Sequence, residues 1–273
     1  MKTQTYNLWN TTPGVCTETP VITHYEPDDK KYDAAVVIFP GGGYAHLAPH
    51  EGGDYAEFLA GNGITAFVVN YRVAPDHHFP LQLLDARRAV RFVRYNAEKF
   101  GIDKDKVAVM GSSAGGHLAA LVSTYTDPIE FEGIDEIDNE DFLPDRQILC
   151  YPVINLYDRD VAHIGSGNNL VGDVYEDSND RISRLNLSPD RLVSVTTPDA
   201  FIWHTFEDPV VNINNSLGYI KSLKDYGIPS EFHMFPYGAH GLGLADKGGR
   251  KSEHVAQWTN LLINWLKYTW KLG

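Results

Sequence analysis

The sequence predicts an α/β fold, a mostly parallel central sheet covered by helices on both faces. Three observations carry this. Strand-like runs alternate with helix-like runs along most of the chain, the pattern of βαβ units. A Gly-x-Ser-x-Gly motif, Gly111-Ser112-Ser113-Ala114-Gly115, falls between one such strand and one such helix. The chain has 273 residues with 43% hydrophobic and 22% charged residues, ordinary for a globular protein and ample for a real core.

The elements follow in order. Residues 34–39 (AAVVIF) are short, β-branched and bounded by Pro40 and three glycines, which reads as a buried strand. Residues 53–60 read as a short helix stopped at Gly61-Asn62-Gly63. Residues 64–71 form the next buried strand. Residues 81–100 read as one helix, apolar at 84, 89, 92, 93 and 97 and stopped at Gly101. A strand over 107–110 precedes a small-residue helix over 114–124. Further strands are expected at 147–153, 200–204 and 230–235. A helix at 214–226, ended by Gly227, separates the last two, and a closing helix runs from Lys251 to about Lys271. There is no internal repeat and no Pro/Gly/Ser linker, so residues 1–273 read as one domain. The stretch from about 127 to 198 breaks the rhythm, being polar and mostly irregular with one strand near its start. Such stretches are often lids or binding loops.

The net charge is −13. This argues against nucleic acid, which calls for a basic patch, and against polyanions and anionic membrane surfaces. The charge is uneven: residues 127–145 hold nine acids and no lysine or arginine. Within it, residues 135–141 invite a calcium reading but lack the EF-hand glycine and spacing, so the segment reads as a solvated acidic loop. If it bordered a binding pocket it would favour neutral ligands. Cys16 and Cys150 are the only cysteines, weak evidence for a reducing compartment. The N-terminal residues lack the apolar run of a signal peptide, and no stretch approaches the length of a membrane helix. A cytoplasmic protein is the expectation.

The motif at 111–115 is where chemistry is expected. A sharp strand-to-helix turn lifts the serine Oγ above the sheet edge and places it at a helix N-terminus, where developing negative charge is favoured. Ser112 is its neighbour, but the motif centres on Ser113. Pro40-Gly41-Gly42-Gly43-Tyr44 follows the first strong strand. Glycines there let backbone amides approach a substrate oxygen. A phosphate cradle is the rival reading, but the P-loop ending and the G-x-G-x-x-G spacing are missing. Gly42, Gly43 and Ala114 are the expected oxyanion donors. Loops of this type carry histidine where Pro40 stands, so that histidine's hydrogen bonds must come from elsewhere.

A nucleophilic serine on such a sheet needs an acid and then a base after later strands. Asp208 follows the strand at 200–204, and His240 follows the last strand. His240 would take the Ser113 proton, and Asp208 would hold its tautomer. Glu207 is the rival acid. His204 and His233 lie inside strands and read as packed residues. The eleven histidines invite a metal reading. However, Pro49 spoils the His46/His50 pair, His77-His78 are adjacent in a loop, and no spacing fits zinc.

With these residues in place, PGGGY, VVNYRVAPDHHFPLQLLDARRAV, VMGSSAGGHLAA, WHTFEDPVV and FPYGAHGLGLA resemble the acetyl-esterase/lipase group of α/β-hydrolases. More narrowly they resemble its small bacterial sugar, xylan or acetyl esterases. The resemblance runs from about residue 35 to the C-terminus. It implies the α/β-hydrolase fold and carboxylester hydrolysis through an acyl-serine, with Ser113, Asp208 and His240 as the triad and neither cofactor nor metal. It also makes Arg72 and Asp85 charge partners. A small-molecule ester, such as an acetylated sugar, is the expected partner. Tyr44, and Tyr157 or Tyr175, are candidates to stack on a sugar ring. A peptidase or amidase on the same scaffold and a non-catalytic ligand-binding homologue are the alternatives. Trp270, if exposed, would point to an interface.

Overall fold

The computed structural model describes residues 1–14, 19–172, 180–183 and 185–272. Cys16 and Tyr175 lie outside the described residues. The strands are β1 (Lys2–Asn7), β2 (Val21–Glu26), β3 (Ala35–Phe39), β4 (Thr65–Asn70), β5 (Val107–Ser112), β6 (Arg146–Cys150), β7 (Asp199–Thr205) and β8 (Ser230–Phe235). The helices are α1 (Gly53–Gly61), α2 (Leu81–Tyr95), α3 (Ala97–Phe100), α4 (Ala114–Thr124), α5 (Ile164–Val171), α6 (Asn214–Asp225) and α7 (Trp258–Trp270). The sheet order is β1-β2-β4-β3-β5-β6-β7-β8. β1/β2 and β2/β4 pair antiparallel, and every other pair is parallel.

β3 explains why both faces are covered. All five of its side chains are buried, and they alternate: Val37 and Phe39 join the cluster under α2 and α4, while Val36 and Ile38 join the one under α1 and α7. The chain winds from β3 out to β4 and then crosses back to β5. The crevice at the carboxyl ends of β3 and β5 is therefore the switch point where such sheets take ligands. The PGGGY loop leaves β3 there, and Ser113 leaves β5.

Two expected helix boundaries move. The helix at 81–100 is interrupted at Asn96, whose side-chain amide donates to the Phe92 carbonyl oxygen (2.8 Å) and ends α2; Gly101, at φ 61°, then stops α3. The closing helix starts at Trp258 after a 3-10 turn at Val255–Gln257. Ser252 N–H bonds the Ala245 carbonyl oxygen instead of continuing a helix back to Lys251. β1 and β2 were not expected. β1 (KTQTYN) is almost wholly exposed, so it carries no alternation to read. Trp270 is buried, not exposed, against α7's face of the sheet.

The irregular stretch divides into two parts around β6. The first, the acidic one, is not a solvated loop. It lies along α2, where Arg87 pairs with Glu132 (3.0 Å), Arg88 with Asp135 and with Asp138 (2.9 Å), Arg91 with Glu132 (3.1 Å) and Arg94 with Asp145 (3.0 Å). The second part contains α5. Arg72 and Asp85 meet as a buried bidentate pair at 2.9 and 2.8 Å, with Trp9 Nε1 donating to the same carboxylate (3.0 Å). Among the described residues no helix is long and apolar enough to cross a membrane.

Candidate active site

Ser113 occupies the turn between β5 and α4 with φ 54° and ψ −122°, a conformation costly for a residue with a Cβ. Its backbone is held on both sides: Ser113 N–H donates to the Cys150 carbonyl oxygen, and its own carbonyl oxygen accepts from Val153 N–H, each at 3.0 Å. Gly115 permits the close fit, since a Cβ there would collide with the carbonyl oxygen of Phe39.

Asp208 and His240 reach Ser113 from the ends of β7 and β8. His240 Nε2 lies 2.9 Å from Ser113 Oγ, and His240 Nδ1 lies 2.7 Å from Asp208 Oδ2. The carboxylate can only accept, so Nδ1 carries the proton and Nε2 is free to accept the serine proton. Asp208 Oδ1 accepts from the amides of Val210 (2.8 Å) and Val211 (3.0 Å). Burial pushes the Asp208 carboxyl up, but the hydrogen bonds from His204 and His240 and from Val211 N–H outweigh it and hold the group well below the usual carboxylate range. The His240 ring packs edge-on against Tyr151, 5.0 Å between centroids.

The amides of Gly42, Gly43 and Ala114 have no acceptor among the described residues. Gly42 adopts φ 128°, and a Cβ on it would run into the carbonyl oxygen of His46. α5 lies against this loop, with Asn169 Nδ2 donating to the Gly43 carbonyl oxygen (2.9 Å). His163, which caps α5, is held below its ordinary pKa by burial and by the nearby His240. Among the described residues no group of three or more His, Cys, Asp or Glu is arranged to hold a metal ion.

One expectation is corrected, and the rival acid is placed. Tyr44 does not face the site. Its side chain is fully buried, and its O–H donates to His117 Nδ1 (2.7 Å). His117 Nε2–H in turn donates to the Leu187 carbonyl oxygen (2.8 Å), which fixes the tautomer. Burial pushes the His117 pKa down to about 4, so the ring is a neutral structural link. Glu207 is not at the site's centre, its carboxylate accepting from Gly238 N–H (2.9 Å). Two contacts escaped sequence reasoning. His204 is packed as expected, yet its Nε2 is 3.3 Å from Asp208 Oδ2. Glu51, almost wholly buried, accepts from Gly41 N–H at 3.0 Å. A carboxylate ten residues beyond a glycine run gives no pattern to find it by.

Known proteins are similar to this chain in structure or in sequence. The acetyl ester-xyloside bifunctional hydrolase from Caldicellulosiruptor lactoaceticus superposes with a TM-score of 0.89 at 39% identity, covering 99% of this chain and 97% of that one. Endo-1,4-beta-xylanase B of Butyrivibrio fibrisolvens is 36% identical over 224 residues, 80% of this chain and 34% of that protein. The acetylxylan esterase of Xylanibacter ruminicola is 33% identical over 236 residues, 85% of this chain and 45% of that protein. The chain thus spans between a third and a half of the length of these two relatives. The sequence model of the BD-FAE family matches residues 23–223. In sheet order, in the strand-to-helix serine turn and by this match, the chain belongs to the BD-FAE family and has the α/β-hydrolase fold.

Proposed function

We propose that this chain is a serine esterase that removes short acyl groups, acetyl above all, from carbohydrates. The observation that carries the reading is the unbroken line Asp208–His240–Ser113, in the required tautomer, beside three open amides. Ser113 Oγ attacks the ester carbonyl carbon as its proton passes to His240 Nε2. The tetrahedral oxyanion is held by the amides of Gly42, Gly43 and Ala114, and Asp208 stabilises the imidazolium. The C–O bond to the alcohol then breaks, and His240 returns the proton to the departing alkoxide. Water repeats the sequence on the acyl-serine, releasing the acid and restoring Ser113. The acetyl and carbohydrate parts of the reading are supported by the relatives named as an acetylxylan esterase and an acetyl ester-xyloside hydrolase.

The test is a substrate panel of acetylated xylooligosaccharides, acetylated monosaccharides, aryl esters of increasing chain length and peptide anilides. Short acyl chains and sugar esters should lead, and anilides should be inert. A profile rising with chain length would remove the carbohydrate reading, and anilide cleavage would favour the amidase. Ser113→Ala should lose roughly 10⁴–10⁶-fold in kcat.

A further inference from the structure

Where other loops of this type carry a histidine, this chain has Pro40, so the hydrogen bonds that hold Gly41–Gly43 in place must come from another residue. A turn ten residues on supplies one of them, beside those that the loop's carbonyl oxygens accept from Ala45, Ala48 and Asn169. Glu51 ends the 3-10 turn Pro49–Glu51 and is 3% exposed. One carboxylate oxygen accepts from Gly41 N–H (3.0 Å), and the other accepts from the Tyr151 O–H (2.8 Å). A Cβ placed on Gly41 would meet Glu51 Oε2, the Ser112 carbonyl oxygen and Ser113 Cβ, which puts the carboxylate near the turn that carries the nucleophile.

The contacts continue to the other side of the site. The Tyr151 hydroxyl oxygen accepts from Gly243 N–H (3.0 Å), three residues beyond His240. His50, next to Glu51, donates from Nε2 to the Gly241 carbonyl oxygen (3.0 Å). Tyr55 O–H lies 3.2 Å from the Tyr151 hydroxyl and 2.9 Å from Ser112 Oγ, extending the network to the residue before the nucleophile. Tyr151 itself has φ 37°, a left-handed backbone. Burying a carboxylate is costly unless its hydrogen bonds are complete. A turn alone would be served as well by a neutral side chain. Here the two oxygens face two different loops, one on each side of Ser113.

We infer that Glu51 is a positioning residue that aligns the glycine-loop amides and the His240 loop with Ser113, in place of the absent histidine. This rests on the esterase reading above. Glu51 acts through the peptide it holds and touches no reacting atom. Its loss should therefore lower transition-state stabilisation more than substrate binding.

The experiment compares Glu51→Ala, Glu51→Gln and Tyr151→Phe with the wild type and with Ser113→Ala. It measures kcat and KM on p-nitrophenyl acetate, affinity for an aryl trifluoromethyl ketone, whose serine adduct carries the oxyanion, and thermal unfolding. Glu51→Ala should lower kcat by roughly 10²-fold, the scale of losing one oxyanion donor, with KM changed by less than about threefold and ketone affinity falling in step with kcat. Glu51→Gln, whose amide oxygen can still accept from Gly41, should recover about tenfold of that loss. Tyr151→Phe, which removes the hydroxyl that bonds Glu51, Tyr55 and the Gly243 amide, should lose about tenfold in kcat. It serves as the second variant should Glu51→Ala not fold. The inference is overturned if Glu51→Ala or Tyr151→Phe folds and keeps kcat and ketone affinity within about twofold of wild type. It is also overturned if Gln and Ala lose activity equally and only in proportion to lost folded protein. Full activity in Ser113→Ala would instead sink the esterase reading itself.

Discussion

His204 Nε2 stands 3.3 Å from Asp208 Oδ2, the same oxygen that His240 Nδ1 meets at 2.7 Å, so one carboxylate oxygen serves two imidazoles. The second imidazole is fully buried and anchored on its far side by Ser216 Oγ (2.8 Å). His204 thus ties the acid to the body of β7 while His240 remains at the surface of the site.

The shared carboxylate has a pH signature. Despite its burial, Asp208 is held below the usual carboxylate range by its hydrogen bonds, so the folded state prefers it ionised. The stability this contributes is complete above about pH 4, the ordinary value in an unfolded chain, and is lost as pH falls towards the lower folded value. Asp208→Asn should therefore flatten the stability curve between about pH 4 and pH 2, measured by urea unfolding at each pH, while costing about 10⁴-fold in kcat. His204→Gln should cost only about tenfold in kcat, because one of several hydrogen bonds to the charge is lost. Full activity in His204→Gln would show that the second imidazole does not support the acid.

Gly42→Ala tests the glycine loop. At φ 128° an alanine is strained, and its methyl meets the His46 carbonyl oxygen. The amides beside it should turn, lowering kcat by roughly 10²–10³-fold on p-nitrophenyl acetate with little change in KM. A fully active variant would mean that these amides do not face the reacting oxygen.

Tyr44→Phe separates a packing role from a sugar-binding one. The phenol is buried and bonded to His117, so its loss should cost about 1–3 kcal/mol of stability by chemical denaturation. KM for an acetylated xylooligosaccharide should not change. A rise in KM confined to sugar esters would restore the stacking role.

Asp138→Asn tests the acidic segment. Asp138 is buried between Arg88 (2.9 Å) and Arg91 (3.8 Å). Neutralising it should lower stability by about 1–3 kcal/mol and leave the ratio of activities on neutral and anionic esters unchanged. A shift of that ratio towards anionic esters would mean that the segment acts on substrates and not only on α2.

What was legible in the sequence was local. The Ser113 turn could be read because strand, glycines and helix occupy consecutive residues. Asp208 and His240 could be placed because each follows its own strand within a few residues. The contacts that came from closure of the fold could not. Glu51 meets Tyr151 across 100 positions, and only the docking of α1's preceding turn on the end of β6 brings them together. β1 has no apolar side to announce it, and the arginines of α2 show no sign in the sequence of which acids they will meet.

Tyr44 (φ 61°), Ser113 (φ 54°) and Tyr151 (φ 37°) are non-glycine residues held in left-handed backbone, and all three stand around the reaction crevice. The local chain there is in a conformation it would leave if the surrounding sheet released it. Glycine at any of the three would relax the backbone, yet at Ser113 it would delete the nucleophile and at Tyr151 a link to the base's loop. A laboratory selection for heat resistance alone would thus be drawn towards the very positions the chemistry needs, and would have to be paired with a selection for turnover.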